Sequence, residues 1–253
     1  MIGSRESTAL RFYCGLHQPG DARGFERAFI SINRLRGRKK PVPCADVVID
    51  GAAFTELEKH GRYRHSVEEY ASELRRLHEA GVVRITAAVA QDYMCEPFML
   101  AKTGLTIADH QRLTIERYDA LHACGLPFHI LPVLQGFAAR DYLLHRRAYG
   151  DRLKPGMWVG VGSVCKRNSQ PEQILSVLSA IHAVRPDLRL HGFGVKLTSL
   201  RHAGIRRLLF SADSMAWSFS ARKQGRNGND PAEARSFVAK VENFTRTPER
   251  MAA

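Results

Sequence analysis

The chain has 253 residues, 44% of them hydrophobic, which is enough for a sizeable core and about the length of one (β/α) barrel. Lys and Arg number 38 against 25 Asp and Glu, a net charge of +13, so a polyanion is the expected partner, nucleic acid first, against the plainer reading of a basic surface that binds nothing. Cys14, Cys44, Cys95, Cys124 and Cys165 are odd in number and form no CxxC, which argues against a disulfide framework and a local zinc knuckle, and no run of about 18 apolar residues offers a membrane span.

Met1 to Thr8 is polar and lacks the apolar region of a secretory signal, so a cytoplasmic location is expected, in a bacterial cell or a phage-infected host. Arg11 to Leu16 reads as a first strand, running into His17-Gln18-Pro19-Gly20. Phe29 to Ile32 reads as a second, followed by a basic loop that carries Arg34, Arg36, Arg38, Lys39 and Lys40. Val47-Val48-Ile49 is a continuous β-branched run, the mark of a strand buried on both faces, and it stops at Asp50-Gly51-Ala52-Ala53-Phe54. Ser66 and Glu69 predict a capping box for a helix with Tyr70, Leu74 and Leu77 on one face, stopped by Gly81.

Ile85 to Ala90 is the next strand and ends at Gln91-Asp92. Thr106 caps a long helix to about Cys124. Phe128 to Leu134 is a strand ending at Gln135-Gly136, and a helix follows from Ala139 to about Tyr149. Trp158 to Val161 ends at Gly162-Ser163. Pro171 opens a helix with Ile174, Val177, Leu178 and Ile181 on its apolar face. Leu188 to Leu190 leads to His191, a short helix holds Leu200 to Ala203, and Leu208 to Ala212 is the last strand, followed at once by Asp213. Gln224 to Asp230 is a polar loop, and Ala232 to about Phe244 is the last helix.

Eight strand candidates alternate with helices after the third, which predicts an α/β fold with a parallel sheet closed into a (β/α)8 TIM barrel. One domain spans residues 1–253, with a core of about 9–220 and a C-terminal helix and tail over 231–253. No GxGxxG follows the first strand, against a dinucleotide-binding sheet. Residues just after barrel strands converge on one mouth, where active sites sit. Those residues here are Asp50, Asp92, Gln135, Gly162, His191 and Asp213. Asp and Gln can pair with the amidine-like edge of a guanine, and Phe54 offers a face for a base to stack on. Each position has a plainer reading. Asp213 can cap a following helix, Asp92 and Glu96 can be an acid pair balanced by Lys102, His191 can be a core histidine, and Trp217 and Phe219 read as core.

Seven motifs resemble, in order, the tRNA-guanine transglycosylase superfamily, and most closely its 7-deazaguanine DNA-modification branch of DpdA type. They are Gly15-Leu16-His17-Gln18-Pro19, Asp50 to Leu57, Gln91 to Gly104, Pro132 to Gly136, Val159 to Cys165, His191 to Lys196 and Ser211 to Ser218. The resemblance implies a pentosyltransferase that exchanges guanine in DNA for a 7-deazaguanine base such as preQ0. The setting it implies is phage or restriction-modification DNA chemistry. It implies Asp213 as the nucleophile on C1′ and Asp50 as the general acid/base. Asp92, Gln135, Gly162 and Ser163 would read the base, with Phe54 and His191 sandwiching it. The basic loop from Arg34 to Lys40, with Arg222 and Lys223, would hold the nucleic acid. No cofactor and no metal are implied, and a homodimer or accessory DNA-modification proteins are the partners to expect.

The chain departs from the pattern twice. The family's Asp-Ser-Gly-Gly-Phe is Asp50-Gly51-Ala52-Ala53-Phe54 here. No cysteine follows Cys165, so the C-terminal zinc subdomain of the tRNA-acting enzymes has no ligands, which favours DNA over tRNA. Exchange on tRNA and a catalytically silent nucleic-acid-binding barrel are the two competing functions.

Overall fold

The computed structural model describes residues 10–167 and 169–246; the polar stretch Met1 to Thr8 and the tail 247–253 lie outside the described residues. The strands are β1 (Arg11–Gly15), β2 (Arg27–Ser31), β3 (Asp46–Asp50), β4 (Ile85–Val89), β5 (His129–Leu131), β6 (Val133–Leu134), β7 (Trp158–Val161), β8 (Arg189–Gly192) and β9 (Leu209–Ser214). The helices are α1 (Ala53–His60), α2 (Val67–Glu79), α3 (Pro97–Thr103), α4 (Ile107–Ala123), α5 (Ala139–Tyr149), α6 (Pro171–Val184), α7 (Leu197–Leu200), α8 (Ala203–Leu208), α9 (Ala216–Lys223) and α10 (Pro231–Arg246).

All paired strands are parallel, in the order β5-β4-β3-β2-β1-β9-β8-β7-β6. The two ends of that order, β5 and β6, are one stretch of chain interrupted at Pro132. The ring therefore closes as the expected barrel. Proline cannot donate to a ladder, which is why the predicted strand from Phe128 to Leu134 splits there. The Pro132 carbonyl still accepts from Gly160 N at 2.8 Å, and His129 Nε2 lies 2.8 Å from Trp158 O, so the seam is bonded on both sides of the break.

Side-chain alternation sorts each strand into an inner and an outer face. Tyr13, Phe29, Val48, Ala87, Val89, Leu131 and Val133 fill the barrel, with Trp158 and Phe193 packed against them. Phe12, Cys14, Ile30, Val47, Ile49, Leu190 and Ala212 face outward into the layer shared with the helices. Helix α10 seats Phe237 on Phe12 in that layer, with ring centroids 5.9 Å apart. The predicted capping box of Ser66 with Glu69 opens α2, and the predicted cap Thr106 opens α4, where Asp109 completes a second box.

Three expectations are corrected. The last strand runs Leu209–Ser214 rather than Leu208 to Ala212, so Asp213 lies inside β9 and pairs in register with Tyr13. The short helix at Leu200 to Ala203 is two helices, α7 and α8, divided at Arg201 and His202. Helices α1 and α3 follow strand ends for which no helix is predicted, and α9 follows β9; they are seven or eight residues long, too short for a hydrophobic period to show. Among the described residues no helix is long and apolar enough to cross a membrane.

Candidate active site

Strand parity decides which strand-end residues reach the barrel axis. Counting in twos from the inward residues Tyr13, Val48 and Val133 puts Asp50, Gln135, Ser211 and Asp213 on the inner face. Asp213 does not cap a helix: α9 begins two residues after Ser214, its N-cap is Met215, and no side chain caps it. The carboxylate is held instead. Gly194 N donates to Oδ1 at 3.0 Å, and His191 Nε2 lies 3.3 Å from the same oxygen. Both contacts fall on Oδ1 and none of the bonds among the described residues falls on Oδ2.

His191 is fully buried beneath this carboxylate, stacked on Phe29 and edge-on to Phe193. The ring therefore supports Asp213 from inside the barrel, where the resemblance had placed it over the base. Its Nδ1 is 2.9 Å from Ser211 Oγ, which accepts from Trp158 Nε1 at 2.7 Å.

Asp50 ends β3. Its carboxylate accepts from Ser31, its partner in the β2–β3 register, and from the Ala52 amide. Burial, with help from the charge of Asp213, pushes its pKa up to about 6. Ala52 takes a left-handed backbone, φ 66°, a conformation that suits glycine and costs an alanine about 1 kcal/mol. The departure from the family pattern is thus absorbed as strain, and the Ala52 amide still reaches Asp50. Gly51 is tight: a Cβ there would lie 3.2 Å from the Val89 carbonyl, which leaves little room for the family's serine.

Asp92 is buried, and burial pushes its pKa up to about 7 against the lowering effect of a bond donated by Gln135 Nε2. Gln135 is fully buried and locked at its backbone. Its N–H points to His145 Nδ1 at 2.9 Å and its carbonyl accepts from Gln111 Nε2 at 2.8 Å. A Cβ on Gly162 would collide with the Gln135 amide, so glycine is needed there for the glutamine. Ser163, also left-handed at φ 55°, sets its hydroxyl among three partners: Cys95 N at 2.8 Å, Gln135 Oε1 at 2.7 Å and Glu96 Oε2 at 2.8 Å. Glu96 turns to Ser163 and Cys165, while Lys102 is exposed on α3, so the acid pair is not balanced by that lysine.

Around the mouth stands a collar that the sequence reading missed apart from Phe54 and Lys223. Phe54, Phe98, Phe137 and Phe219 are 43 to 49% exposed, and each carries a cation on its ring. Lys166 Nζ lies 5.2 Å from Phe54 and 5.6 Å from Phe98, Arg167 lies 4.5 Å from Phe137, and Lys223 and Lys196 flank Phe219 at 5.2 and 5.6 Å. The core reading of Phe219 is therefore corrected. Trp217 is core, donating from Nε1 to Gly15 O at 2.8 Å. In the sequence Phe54 and Phe98 lie within strand-end motifs and Phe137 and Phe219 one residue after Gly136 and Ser218, and a single sequence does not tell such a Phe from a core aromatic.

The predicted basic residues divide. Arg34 and Arg222 meet at His17, whose pKa is lowered by burial and by both cations, and His17 and Arg222 share Ser218 Oγ at 2.7 and 2.9 Å. Arg36 and Arg38 are half-buried, with Arg36 acting on Glu73 and Arg38 donating to Pro41 O. Lys39 and Lys40 are exposed, but the chain has by then reached Val42, whose amide bonds Val82 O ahead of β4. That places them toward the end of the barrel opposite Asp213.

The family model of DeoxyPurine in DNA protein A, DpdA, matches residues 9–239. No curated protein matches the chain. With a match over most of its length, and with the strand-end acids converging in a closed parallel barrel, the chain belongs to the DpdA family of DNA-modification transglycosylases.

Proposed function

We propose that the protein exchanges guanine in DNA for a 7-deazaguanine base such as preQ0 through a glycosyl ester of Asp213. Asp213 Oδ2 attacks C1′, the C1′–N9 bond breaks, and the Asp50 carboxyl gives its proton to the departing guanine. The incoming base then returns a proton from N9 to the Asp50 carboxylate, N9 attacks C1′, and Asp213 is released. This is the double displacement of a retaining glycosidase, with one nucleophile and one acid/base. The observation that carries it is the contrast between the two acids. Asp213 has Oδ1 tied to Gly194 and His191, whereas Asp50 sits near pKa 6, where it can both give and take a proton.

Asp92 and Gln135 form the polar wall that reads the base edge, with Phe54 at the rim as its stacking face. The target base is stacked in a duplex and has to be turned out. Exposed rings under lysines and arginines suit unpaired nucleotides beside the turned-out base, because every base has a stacking face and every nucleotide a phosphate. Resident cofactor and metal play no part in the scheme.

The test supplies labelled guanine or 7-deazaguanine with duplex DNA, single-stranded DNA or tRNA. Label in DNA, and a covalent adduct lost in Asp213→Ala with DNA binding retained, is the expected result. Label entering tRNA alone establishes the tRNA reading instead, and no label in DNA or tRNA, with nucleic-acid binding equal in the parent and Asp213→Ala, establishes the silent barrel.

A further inference from the structure

Three contacts link Asp92 to Glu96. Gln135 Nε2 donates to Asp92 Oδ2, Ser163 Oγ lies 2.7 Å from Gln135 Oε1, and the same Oγ lies 2.8 Å from Glu96 Oε2. Each contact needs one proton. The glutamine amide supplies one and the serine hydroxyl, which has only one, supplies another; the Cys95 amide at 2.8 Å uses a serine lone pair and adds nothing to the chain. If Ser163 gives its proton to Gln135, the Ser163–Glu96 contact must be filled from a protonated Glu96. If Ser163 gives its proton to Glu96, the glutamine amide must turn over and Asp92 must be the protonated acid. With neither acid protonated, two buried oxygens face each other without a hydrogen.

We infer that Asp92 and Glu96 together hold one proton, and that Glu96 and Ser163 are positioning residues that keep it on Glu96 so that Asp92 meets the base as an anion. An anionic Asp92 accepts from adjacent N–H groups, so the site takes bases with two neighbouring donors, as the guanine and 7-deazaguanine edges have. A proton moved to Asp92 turns it into a donor and the same edge is refused. This rests on the transglycosylase reading for the nature of the ligand, but the proton count stands on the contacts alone.

The surroundings of both acids fit. Glu96 is buried, and burial raises its pKa against the bonds from Ser163 and Cys165 and the charge of Arg167; Cys165 Sγ, 3.7 Å from Oε1, is itself pushed up to about 12 and stays a thiol. Cys95 and Tyr142, which also face Glu96, are both raised by burial and stay neutral. Asp92 faces Asp50 and Glu96, whose charges raise it, and the buried phenols of Tyr63, Tyr70 and Tyr149, all raised and neutral. Two interacting acids titrate as a pair, in two steps, with the one-proton form between them.

Glu96→Gln places an amide where the protonated carboxyl stands and cannot lose that hydrogen. We expect infrared difference spectra of protein with 13C-labelled glutamate, at neutral pH, to show a protonated carboxyl band that disappears in Glu96→Gln and persists in Asp50→Asn. The KM for guanine should stay within about twofold of the parent in Glu96→Gln, no longer rise with pH as the shared proton is lost, and increase about tenfold in Glu96→Ala and Ser163→Ala with kcat little changed. No band lost in Glu96→Gln, or a KM raised tenfold by that substitution at neutral pH, overturns the inference while leaving base exchange intact. A band lost as expected in a protein that exchanges no base in DNA or tRNA upholds the proton count and overturns the transglycosylase reading.

Discussion

His191 Nε2 lies 3.3 Å from Asp213 Oδ1, and the donors behind the ring fix which nitrogen carries the hydrogen. Trp158 Nε1 can only donate, so it fills a lone pair of Ser211 Oγ; Ser211 can then pass its hydrogen to His191 Nδ1, leaving Nε2–H for the carboxylate. The line Trp158–Ser211–His191–Asp213 aims the nucleophile. His191→Ala should lower the single-turnover rate of guanine release about 100-fold, the scale of a misplaced reacting group, with the KM for guanine unchanged. Ser211→Ala should cost less, because the ring stays stacked on Phe29. Rapid-quench measurements on both variants check this, and an unchanged rate in His191→Ala would remove the histidine from the mechanism.

Asp50 near pKa 6 has to be an acid in the first half-reaction and a base in the second. Guanine release should therefore fall as pH rises through about 6, and attack by the incoming base should rise over the same interval. Asp50→Asn should remove both dependences along with most of the activity. Single-turnover profiles for each half-reaction decide it.

Raised carboxyl pKa values also leave a mark on stability. Asp50 and Asp92 bind protons more tightly folded than unfolded, so their contribution favours the native state at low pH and is lost as pH rises from about 4 through 6 and 7. Asp92→Asn should stabilise the protein at pH 8 relative to pH 5 by on the order of 1–3 kcal/mol, read from denaturant curves at the two values. An equal effect at both would show that burial does not hold this acid up.

Ala52 sits at φ 66°. Ala52→Gly should relieve that strain and, after the added freedom of the unfolded chain is offset, raise stability by about 0.5–1 kcal/mol. Urea melts test it. A loss of stability would mean that the alanine methyl, buried beside the site, contributes more than its backbone costs.

The collar and the lower loop should separate in DNA binding. Phe98→Ala and Phe137→Ala are each expected to weaken a single-stranded oligonucleotide about tenfold or more, the scale of one stacked base. Lys166→Met should reduce the salt slope by about 0.7, one single-strand phosphate. Lys39→Met with Lys40→Met should do less, because those residues lie toward the opposite end of the barrel. Anisotropy titrations across salt concentrations measure all of these, and a lower-loop variant more damaging than Phe98→Ala would move the DNA to another face.

The chain by itself determined the barrel, because buried β-branched runs such as Val47-Val48-Ile49 and capped helices such as that opened by Ser66 are local patterns that a parallel sheet requires. It also placed Asp50, Asp92, Gln135 and Gly162 at strand ends, since each apolar run visibly stops there. Only the tertiary structure decided what those residues do. One added turn of pleat in β9 put Asp213 inside the barrel and removed its capping role, and that register is set by pairing with β1, far away in sequence. Crossing between strands placed His191 under Asp213, and Ser163 between Gln135 and Glu96, contacts that no spacing along the chain reveals. The same holds for charge. Arg34 and Lys40 are six residues apart in one basic run, but the first stands with Arg222 at the mouth and the second lies toward the other end, because the connection between two parallel strands must travel the length of the barrel.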